Sequence, residues 1–278
     1  MRDGVTSFAA RWHFASLALL AACGGGEPPA HTTAVLDGAL WMQQSAEYWA
    51  LATQTYAVAQ ERLDQALDDR SWTAALEQGS GYEQLPPAVV LDVDETVLQS
   101  TSYTAERIAA GGGYTLATWR DWYKAGGGKP VPGSLDFCRY AISRGVAVYF
   151  VTNNRDTLHT LVSAALREHG YPVRDDNSNV ITRSDVRDKG PRRRALAAEH
   201  RILLIFGDDG NDFATDLGNG VGAERAAAAE RYSQRWGRSW FLLPNPMYGS
   251  WMNSLFEGLD AETPTERWRA KMKRLQTQ

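Results

Sequence analysis

The chain has 278 residues, of which 44% are hydrophobic and 22% are charged, and its net charge is −4. This profile is that of a globular protein with room for one substantial core. Acidic and basic residues are nearly balanced, and the absence of a basic excess argues against a nucleic-acid polymer as the main partner.

The N-terminal segment has the pattern of a targeting signal. Residues 1–22 carry Arg2 and Arg11 followed by an apolar run that is too short to span the roughly 30 Å hydrocarbon core of a bilayer. The run ends in Leu20-Ala21-Ala22-Cys23, which resembles the lipobox of a bacterial lipoprotein signal. The resemblance implies that residues 1–22 are a signal peptide and that Cys23 is the lipidated first residue of the mature chain. An ordinary secretory signal with a chance cysteine is the alternative.

A linker-like composition follows the lipobox. The stretch from Gly24 to Ala30 is rich in glycine and proline, and we expect a flexible tether over residues 23–34. The lipobox implies anchoring in a bacterial cell envelope, and Gly24 directly after the cysteine favours the outer membrane, facing the periplasm or the cell surface. If Cys23 carries lipid, Cys138 has no partner, so we expect no disulfide to hold the fold.

Helical and strand patterns alternate through the rest of the chain. Apolar residues at three-to-four spacing predict one long helix or two collinear helices from Thr33 to Asp69. Short aliphatic runs then predict buried strands at "AVVLDV", 146–152, 202–207 and 240–244, with helical patterns between them. This alternation predicts an α/β fold with a doubly wound parallel sheet, formed by a single domain over residues 35–278.

Polar side chains follow three of the predicted strands at the point where each strand ends. In parallel α/β sheets, ligands bind beyond the carboxyl ends of the strands. The residues that would meet at this edge are Asp92 and Asp94 after the first strand, Thr152, Asn153 and Asn154 after the second, and Asp208, Asp209 and Asp212 after the third. Each cluster alone could be a turn or a helix cap, but together they predict an active site.

The chemistry of this set suits phosphoryl transfer. Asp92 and Asp94 are two residues apart on an extended chain, so their side chains can face one substrate together, with Asp208 arriving from a nearby strand. Carboxylate and carbonyl oxygens are the ligands that Mg²⁺ prefers. Lys189 lies just before a predicted helix start and could hold an anion there, and Thr152 could donate a hydroxyl to a phosphoryl oxygen. An ionised aspartate is a competent nucleophile at phosphorus, and a second carboxylate can act as acid and base.

Four stretches resemble the motifs of the haloacid dehalogenase (HAD) superfamily, in order: "LDVDETVL", "FVTNNRD", "DKGPRR" and "GDDGNDF". Three flanking stretches, "LWMQQSAEYWALATQTY", "WRDWYKAGGGKPVPGSLDF" and "FLLPNPMYGSWM", are similar to class C acid phosphatases, the lipoprotein e family of 5'-nucleotidases. The resemblance covers nearly all of the mature chain. It implies a Rossmann-like HAD core with a central parallel sheet, a small cap insertion and an N-terminal helical extension.

The resemblance also implies a role for each motif residue. Asp92 would be the nucleophile and Asp94 the general acid and base, and both would ligate Mg²⁺, Asp94 through its backbone carbonyl. Thr152 and Asn153 would bind the phosphoryl group and Lys189 would neutralise it. The remaining expected metal residues are Asp208, as a direct ligand, and Asp212, through metal-bound water. The implied reaction is hydrolysis of phosphomonoesters through an aspartyl-phosphate, with nucleoside 5'-monophosphates, nicotinamide mononucleotide and aryl phosphates as substrates.

The sequence departs from the family pattern at two places. Family members commonly carry Asp-Asn-Ser-Pro-Tyr after the first motif, where this chain has Gln99-Ser100-Thr101-Ser102-Tyr103. The family's Thr-Asn-Arg is here Thr152-Asn153-Asn154, with Arg155 one place later. These departures bear on substrate preference more than on the reaction type.

The segment of about 50 residues between the first two strands is longer than a crossover helix needs, and we expect a small cap at about residues 99–132. Its aromatic residues could stack on a base, and we expect Tyr103 and Tyr248 to line the substrate pocket. Trp119 and Trp122 are three residues apart on one helical face, which favours packing.

Other functions remain open on the same residues. A noncatalytic ligand-binding lipoprotein on this fold is the main alternative, and phosphoacceptor or dehalogenase chemistry is disfavoured by Asp94. A homodimer is left open. The basic run Arg192–Arg194 is typical of a solvated helix face, although it could reach the phosphate. The C-terminal "ERWRAKMKRLQTQ" predicts a basic amphipathic helix, for which packing and contact with a membrane surface are both open.

Overall fold

The structure is a computed structural model that describes residues 30–259 and 263–275. The predicted signal peptide, the lipidation site Cys23 and the tether up to residue 29 lie outside the described residues. Among the described helices, none combines the length and the apolar character needed to cross a bilayer.

A parallel sheet forms the centre of the fold. Within the described residues it has five strands in the order β5-β4-β1-β6-β7. Their bounds are β1 Pro87–Leu91, β4 Ala147–Arg155, β5 Val180–Arg183, β6 Arg201–Gly207 and β7 Trp240–Leu242. Every pairing between neighbours is parallel, and β1 lies between β4 and β6. The predicted doubly wound α/β fold is confirmed.

Both faces of the sheet are buried, as expected for parallel strands with continuous apolar sequence. Alternate residues of β1 enter different cores: Val89 and Leu91 belong to one apolar cluster, and Ala88 and Val90 to the other. Helices α2 (Ala46–Asp68), α5 (Ser134–Ser143) and α6 (His159–Glu168) cover the first face, and α7 (Gly190–Glu199) and α8 (Ala223–Arg231) cover the second.

The N-terminal helical segment is divided. Helix α1 spans Ala30–Gln44, and Ser45 adopts an extended backbone and caps α2 by accepting a hydrogen bond from the Tyr48 N–H at 3.0 Å. The tether was predicted to extend to residue 34, but residues 30–34 are helical. Neither proline nor glycine occurs between Ala30 and Asp37, so nothing in this stretch stops the helix.

The segment between β1 and α5 folds as a small cap. Short strands β2 (Leu98–Gln99) and β3 (Lys129–Pro130) pair antiparallel and close its base. Helices α3 (Thr101–Ala109) and α4 (Leu116–Lys124) lie between them. The cap is filled by packed aromatic rings, all within 6.2 Å of a neighbouring ring centroid: Tyr103, Tyr114, Trp119, Trp122 and Tyr123.

Two further helices complete the chain, α9 (Ser250–Ser254) and α10 (Pro264–Arg274), counting only the described residues. Strand β5 was not predicted from the sequence. It has four residues, and only Val180 is fully buried because β5 lies at the edge of the sheet. Its polar, partly exposed sequence therefore lacks the aliphatic run that marks the central strands.

One histidine, His200, lies beside the second core and shares a hydrogen bond with a tyrosine. The Arg174 guanidinium donates to the Tyr149 hydroxyl at 3.1 Å, and the same hydroxyl lies 3.2 Å from His200 Nε2. Burial lowers the pKa of His200, and the nearby charge of Arg174 lowers it further, although Glu199 opposes the shift.

Candidate active site

Asp92 and Asp94 extend from the carboxyl end of β1 at the centre of the sheet. The Asp92 N–H donates to the Phe206 carbonyl at 3.0 Å, which keeps this residue aligned with β6. The chain then turns tightly, with the N–H groups of Val97 and Leu98 both donating to the Val93 carbonyl at 2.9 Å. Asp92 is buried and Asp94 is half-buried, so both carboxylates stay at the edge of the sheet.

Three carboxylates converge beyond β1 and β6. Asp92, Asp208 and Asp212 each place one oxygen within 4.8 Å of the others. Asp208 directly follows β6, and Asp212 ends a short 3-10 turn, Gly210–Asp212. The Asp209 N–H donates to Asp212 Oδ2 at 3.0 Å in a reciprocal cap that fixes this turn. The structure thus brings together the side chains of Asp92, Asp208 and Asp212, three of the residues predicted to bind the metal.

Lys189 lies in the middle of this cluster. It immediately precedes α7, is 3% exposed, and its ammonium contacts Asp212 Oδ1 at 2.6 Å as well as the Asp92 carboxylate. Burial by itself lowers the pKa of Lys189, but the charges of Asp212 and Asp92 outweigh burial and the pKa is raised. Lys189 is therefore a cation at neutral pH, and it pairs with two of the three carboxyl groups of the cluster.

The three carboxyl groups of the cluster are crowded together in a buried site, and their pKa values are raised. Burial raises the pKa of Asp92 despite the opposing charge of Lys189, and it raises the pKa of Asp212 to about 7. The pKa of Asp208 lies well above its ordinary value because of burial and of the charges of Asp92 and Asp212. An additional cation would relieve this repulsion, and the donor atoms are all oxygens, so the residues fit a hard divalent ion such as Mg²⁺.

Asp94 is held by side chains from both the cap and the sheet. The Tyr123 hydroxyl on α4 donates to Asp94 Oδ1 at 2.6 Å, and Asn154 Nδ2 on β4 donates to Oδ2 at 2.8 Å. Asn154 is itself fixed by the Trp119 indole N–H, which donates to Asn154 Oδ1 at 2.6 Å. Burial raises the pKa of Asp94, and the hydrogen bond from Tyr123 opposes this shift.

Tyr123 was not assigned to the site from the sequence, and Asn154 was placed at the edge of the sheet without a role in catalysis or binding. Asn154 was treated as a departure from the family motif, and Tyr123 as one aromatic residue of the cap. The spacing of Trp119 and Tyr123, four apart on α4, was a usable signal because it puts both side chains on one face of the helix. The polar ends of that face reach the active site. Trp119 therefore packs, as predicted, and also orients a site residue.

Thr152 and Asn153 lie beside Asp94 at the end of β4. Thr152 is fully buried and its Oγ1 accepts the Asn154 N–H at 3.0 Å, whereas Asn153 is exposed. Arg192 on α7 donates to the Thr152 carbonyl at 2.6 Å and to Asn153 Oδ1 at 2.7 Å. The end of β4 is thus tied to the start of α7, which Lys189 directly precedes.

The basic run on α7 is not a solvated face throughout. Arg193 is 1% exposed and donates to Glu77 Oε1 at 2.7 and 3.1 Å, to the Asn211 carbonyl at 3.1 Å and to the Asp212 carbonyl at 3.0 Å. The expectation of a solvated face holds only for Arg194, which is exposed. Arg193 is buried because its guanidinium satisfies backbone carbonyls that would otherwise lack donors.

The turn after β7 closes one side of the site. Asn245 Nδ2 donates to Asp208 Oδ2 at 2.7 Å, and the Ser250 hydroxyl donates to Asp209 Oδ1 at 2.7 Å. Tyr248 lies in this turn and is 37% exposed, with its hydroxyl 3.4 Å from Glu95 Oε1. Asn245 was not predicted as a site residue, and its contact with Asp208, 37 residues away, becomes visible only in the folded structure.

The two predicted pocket residues have different surroundings. Tyr248 is 37% exposed, and its hydroxyl lies beside Ser100 and Glu95 on the loop that follows Asp94. Tyr103 is 5% exposed inside the cap, where its hydroxyl bonds to Thr118 Oγ1 at 2.9 Å and its ring packs against Trp119. Its contacts are therefore those of a packing residue, as the hydrophobic spacing of the cap helices requires.

Comparison with known proteins identifies the family. Residues 28–251 match the model of the HAD superfamily, subfamily IIIB (acid phosphatase). The solved structure of the class C acid phosphatase from Bacillus anthracis is 29% identical, covers 89% of this chain and 98% of its own, and superposes with a TM-score of 0.78. The crystal structure of that phosphatase with tungstate bound is 28% identical, covers 90% and 99%, and has a TM-score of 0.78. The chain therefore belongs to the acid phosphatases of HAD subfamily IIIB.

Proposed function

We propose that this phosphatase is Mg²⁺-dependent and hydrolyses phosphomonoesters through an aspartyl-phosphate on Asp92. The observation that carries the proposal is the convergence of Asp92, Asp208 and Asp212 within 4.8 Å, with the Lys189 ammonium paired to Asp92 and Asp212. A carboxylate cluster of this kind suits a cation and a phosphate held together, because each charge neutralises the other.

The two aspartates after β1 divide the chemistry. Asp92 attacks the phosphorus, the bond from phosphorus to the leaving oxygen breaks, and Asp94 gives its proton to the leaving alkoxide. Asp94 then takes a proton from water as the water attacks phosphorus, and the phosphorus–Asp92 bond breaks to release phosphate. The hydrogen bonds from Tyr123 and Asn154 hold the Asp94 carboxyl at a fixed position for both transfers.

Lys189 and Thr152 act on the phosphoryl group in this proposal, together with Asn153 at the exposed rim. The Lys189 ammonium neutralises phosphoryl oxygens, and the Thr152 hydroxyl donates to one of them. Bound Mg²⁺ would supply further charge neutralisation, held by Asp92, Asp208, the Asp94 carbonyl and, through water, Asp212.

The proposed substrates are nucleoside 5'-monophosphates, nicotinamide mononucleotide and aryl phosphates. The position of Tyr248, which is 37% exposed beside the Asp94 loop, supports a substrate with a flat group, because a base or an aryl ring can stack on a tyrosine ring.

The first experiment measures phosphate release from a panel of 5'- and 3'-nucleotides, nicotinamide mononucleotide and an aryl phosphate, with Mg²⁺ or with a chelator. Asp92→Asn tests the nucleophile, and Asp121→Asn on the exposed surface of the cap is the matched control. We expect release that requires Mg²⁺, is lost in Asp92→Asn and persists in Asp121→Asn. Release that is unchanged by the chelator would contradict Mg²⁺ dependence, and full activity of Asp92→Asn would contradict the covalent intermediate.

We also propose that Cys23 is lipidated and holds the protein at the outer membrane of a bacterial envelope, facing the periplasm or the surface. The lipobox pattern and the composition of the following residues support this proposal. Incorporation of labelled palmitate into the wild type but not into Cys23→Ser, followed by fractionation of the two membranes, tests it. Sedimentation equilibrium tests separately whether the protein forms a homodimer, which the sequence leaves open.

A further inference from the structure

The outer surface of α10 carries an exposed apolar stripe. Trp268 and Met272 are each 47% exposed, and Leu275, which directly follows the helix, is 61% exposed. Their spacing of four and three residues puts them on one side of the helix. The Leu275 N–H donates to the Lys271 carbonyl at 3.0 Å, the hydrogen bond of an α-helix, so the helical spacing of the stripe extends to Leu275. A stripe of this kind normally faces a core, but here it faces away from the protein.

The opposite side of α10 is fixed to the body of the protein. Ala270 is 4% exposed, and Arg274 donates to the carbonyls of Leu255 at 3.4 Å and Glu257 at 3.1 Å. A reciprocal cap between Thr263 and Glu266 fixes the start of the helix. Ala270 lies two residues from both Trp268 and Met272, which places it on the far side of the helix. The orientation of the apolar stripe is therefore set by the docking of α10.

Basic side chains flank the stripe. The helix carries five basic residues and one acidic residue, although the whole chain has a net charge of −4. Among the basic residues, Arg269 and Lys273 are exposed and Lys271 is partly exposed. Tryptophan with long apolar side chains, bordered by lysine and arginine, is the composition of a helix that lies in the interface of an anionic bilayer.

Helix α10 also packs against α1, the helix that follows the lipobox. Cys23 lies seven positions before Ala30, and seven residues can span at most about 25 Å. If Cys23 is lipidated as proposed above, the start of α1 is confined to this distance from the bilayer surface, and α10 is carried with it.

We propose that the Trp268, Met272 and Leu275 stripe of α10 binds the surface of an anionic phospholipid bilayer, as a second attachment beside the N-terminal lipid. The apolar side chains enter the boundary between headgroups and acyl chains. Arg269, Lys271 and Lys273 contact the anionic headgroups. Because the helix is fixed to the body by Arg274 and α1, this attachment also sets the orientation of the enzyme on the membrane.

The test uses the chain from residue 24 to residue 278, which lacks the proposed lipid and contains every element of the described fold. This protein is sedimented with vesicles of phosphatidylcholine alone or of phosphatidylcholine with phosphatidylglycerol. We expect binding to the anionic vesicles only. Lys273→Gln should weaken it about fivefold, and Trp268→Ser about tenfold. Trp49→Ser is the matched control, because Trp49 is 60% exposed on α2 and should not affect binding.

Circular dichroism verifies that each variant is folded, and phosphate release is measured in parallel. Binding without phosphatase activity would contradict the proposed function and leave this inference intact. Three results would overturn the inference: no binding of the wild type to anionic vesicles, equal binding by Trp268→Ser and the wild type, or a dimer of the wild type that Trp268→Ser dissociates. The last result would make the stripe an interface between copies of the chain.

Discussion

The hydroxyl of Tyr123 offers the sharpest test of the role of Asp94. Replacing Tyr123 with phenylalanine removes the 2.6 Å hydrogen bond to Asp94 Oδ1 and leaves the ring in the cap. A hydrogen bond to a charged group contributes about 1.5–3 kcal/mol. If the whole contribution is needed in the transition state, kcat/KM should fall about 10- to 150-fold. The hydrogen bond from Asn154 to Asp94 Oδ2 remains in this variant, so the Asp94 carboxyl is held less firmly but stays in the site.

The leaving group separates a catalytic effect from a structural one. The aryloxide of an aryl phosphate is a good leaving group and departs without much help from an acid, whereas the alkoxide of a nucleoside 5'-monophosphate needs a proton from Asp94. We therefore expect Tyr123→Phe to reduce kcat/KM far more for the nucleotide than for the aryl ester. Tyr103→Phe is the matched control, since its hydroxyl lies in the same cap and bonds to Thr118 at 2.9 Å. Equal losses in the two variants, or equal losses for the two substrates, would refute the assignment.

Three further predictions concern stability and packing. Arg193→Met should lower the free energy of unfolding, measured by urea denaturation, by about 3–5 kcal/mol because Glu77 is left buried and unpaired; adding Glu77→Met should recover part of the loss, and no recovery would contradict this reason. The folded-state pKa of His200 lies below its ordinary value of 6.5, so its contribution to stability is present above pH 6.5 and is lost as the pH falls from there through the lower folded-state pKa. His200→Gln should therefore reduce the fall of the melting temperature over this acidic range, and an unchanged fall would assign it to another group. A Cβ on Gly207 would overlap the Asp212 side chain, so Gly207→Ala should abolish phosphate release, and a variant with normal activity would show that Asp212 can move freely.

The sheet and the ends of its strands could be predicted because both depend on local patterns. Long aliphatic runs have no stable place except a buried strand, and carboxylates directly after them must lie at an edge. This reasoning identified Asp92, Asp94, Asp208 and Asp212 and the strands before them. Strand β5 escaped it because an edge strand of four residues buries little and carries no such run.

The surroundings of the site could not be predicted, since they depend on contacts between distant segments. Arg193 has the sequence context of a solvated arginine, but its partners come from distant segments: Glu77, 116 residues away, and the carbonyls of Asn211 and Asp212. Tyr103 and Tyr123 are both tyrosines of the aromatic cap, yet the hydroxyl of Tyr103 bonds to Thr118 within the cap and that of Tyr123 donates to Asp94. Tyr103 lies on α3 and Tyr123 on α4, and their different contacts depend on how these two helices pack in the folded protein, which no local pattern encodes.

The strand order also determines when the site can form during synthesis of the chain. Strand β1 lies at the centre, but its partners β4 and β6 occur later in the chain, beginning at Ala147 and Arg201. A growing chain that has not yet reached β6 lacks one neighbour of β1 and also lacks Asp208 and Asp212. Contacts between such distant segments form slowly, because a long loop must be closed first. The candidate site is therefore complete only after β6 and the residues that follow it have been synthesised, and shorter nascent chains lack the Asp208 and Asp212 carboxylates.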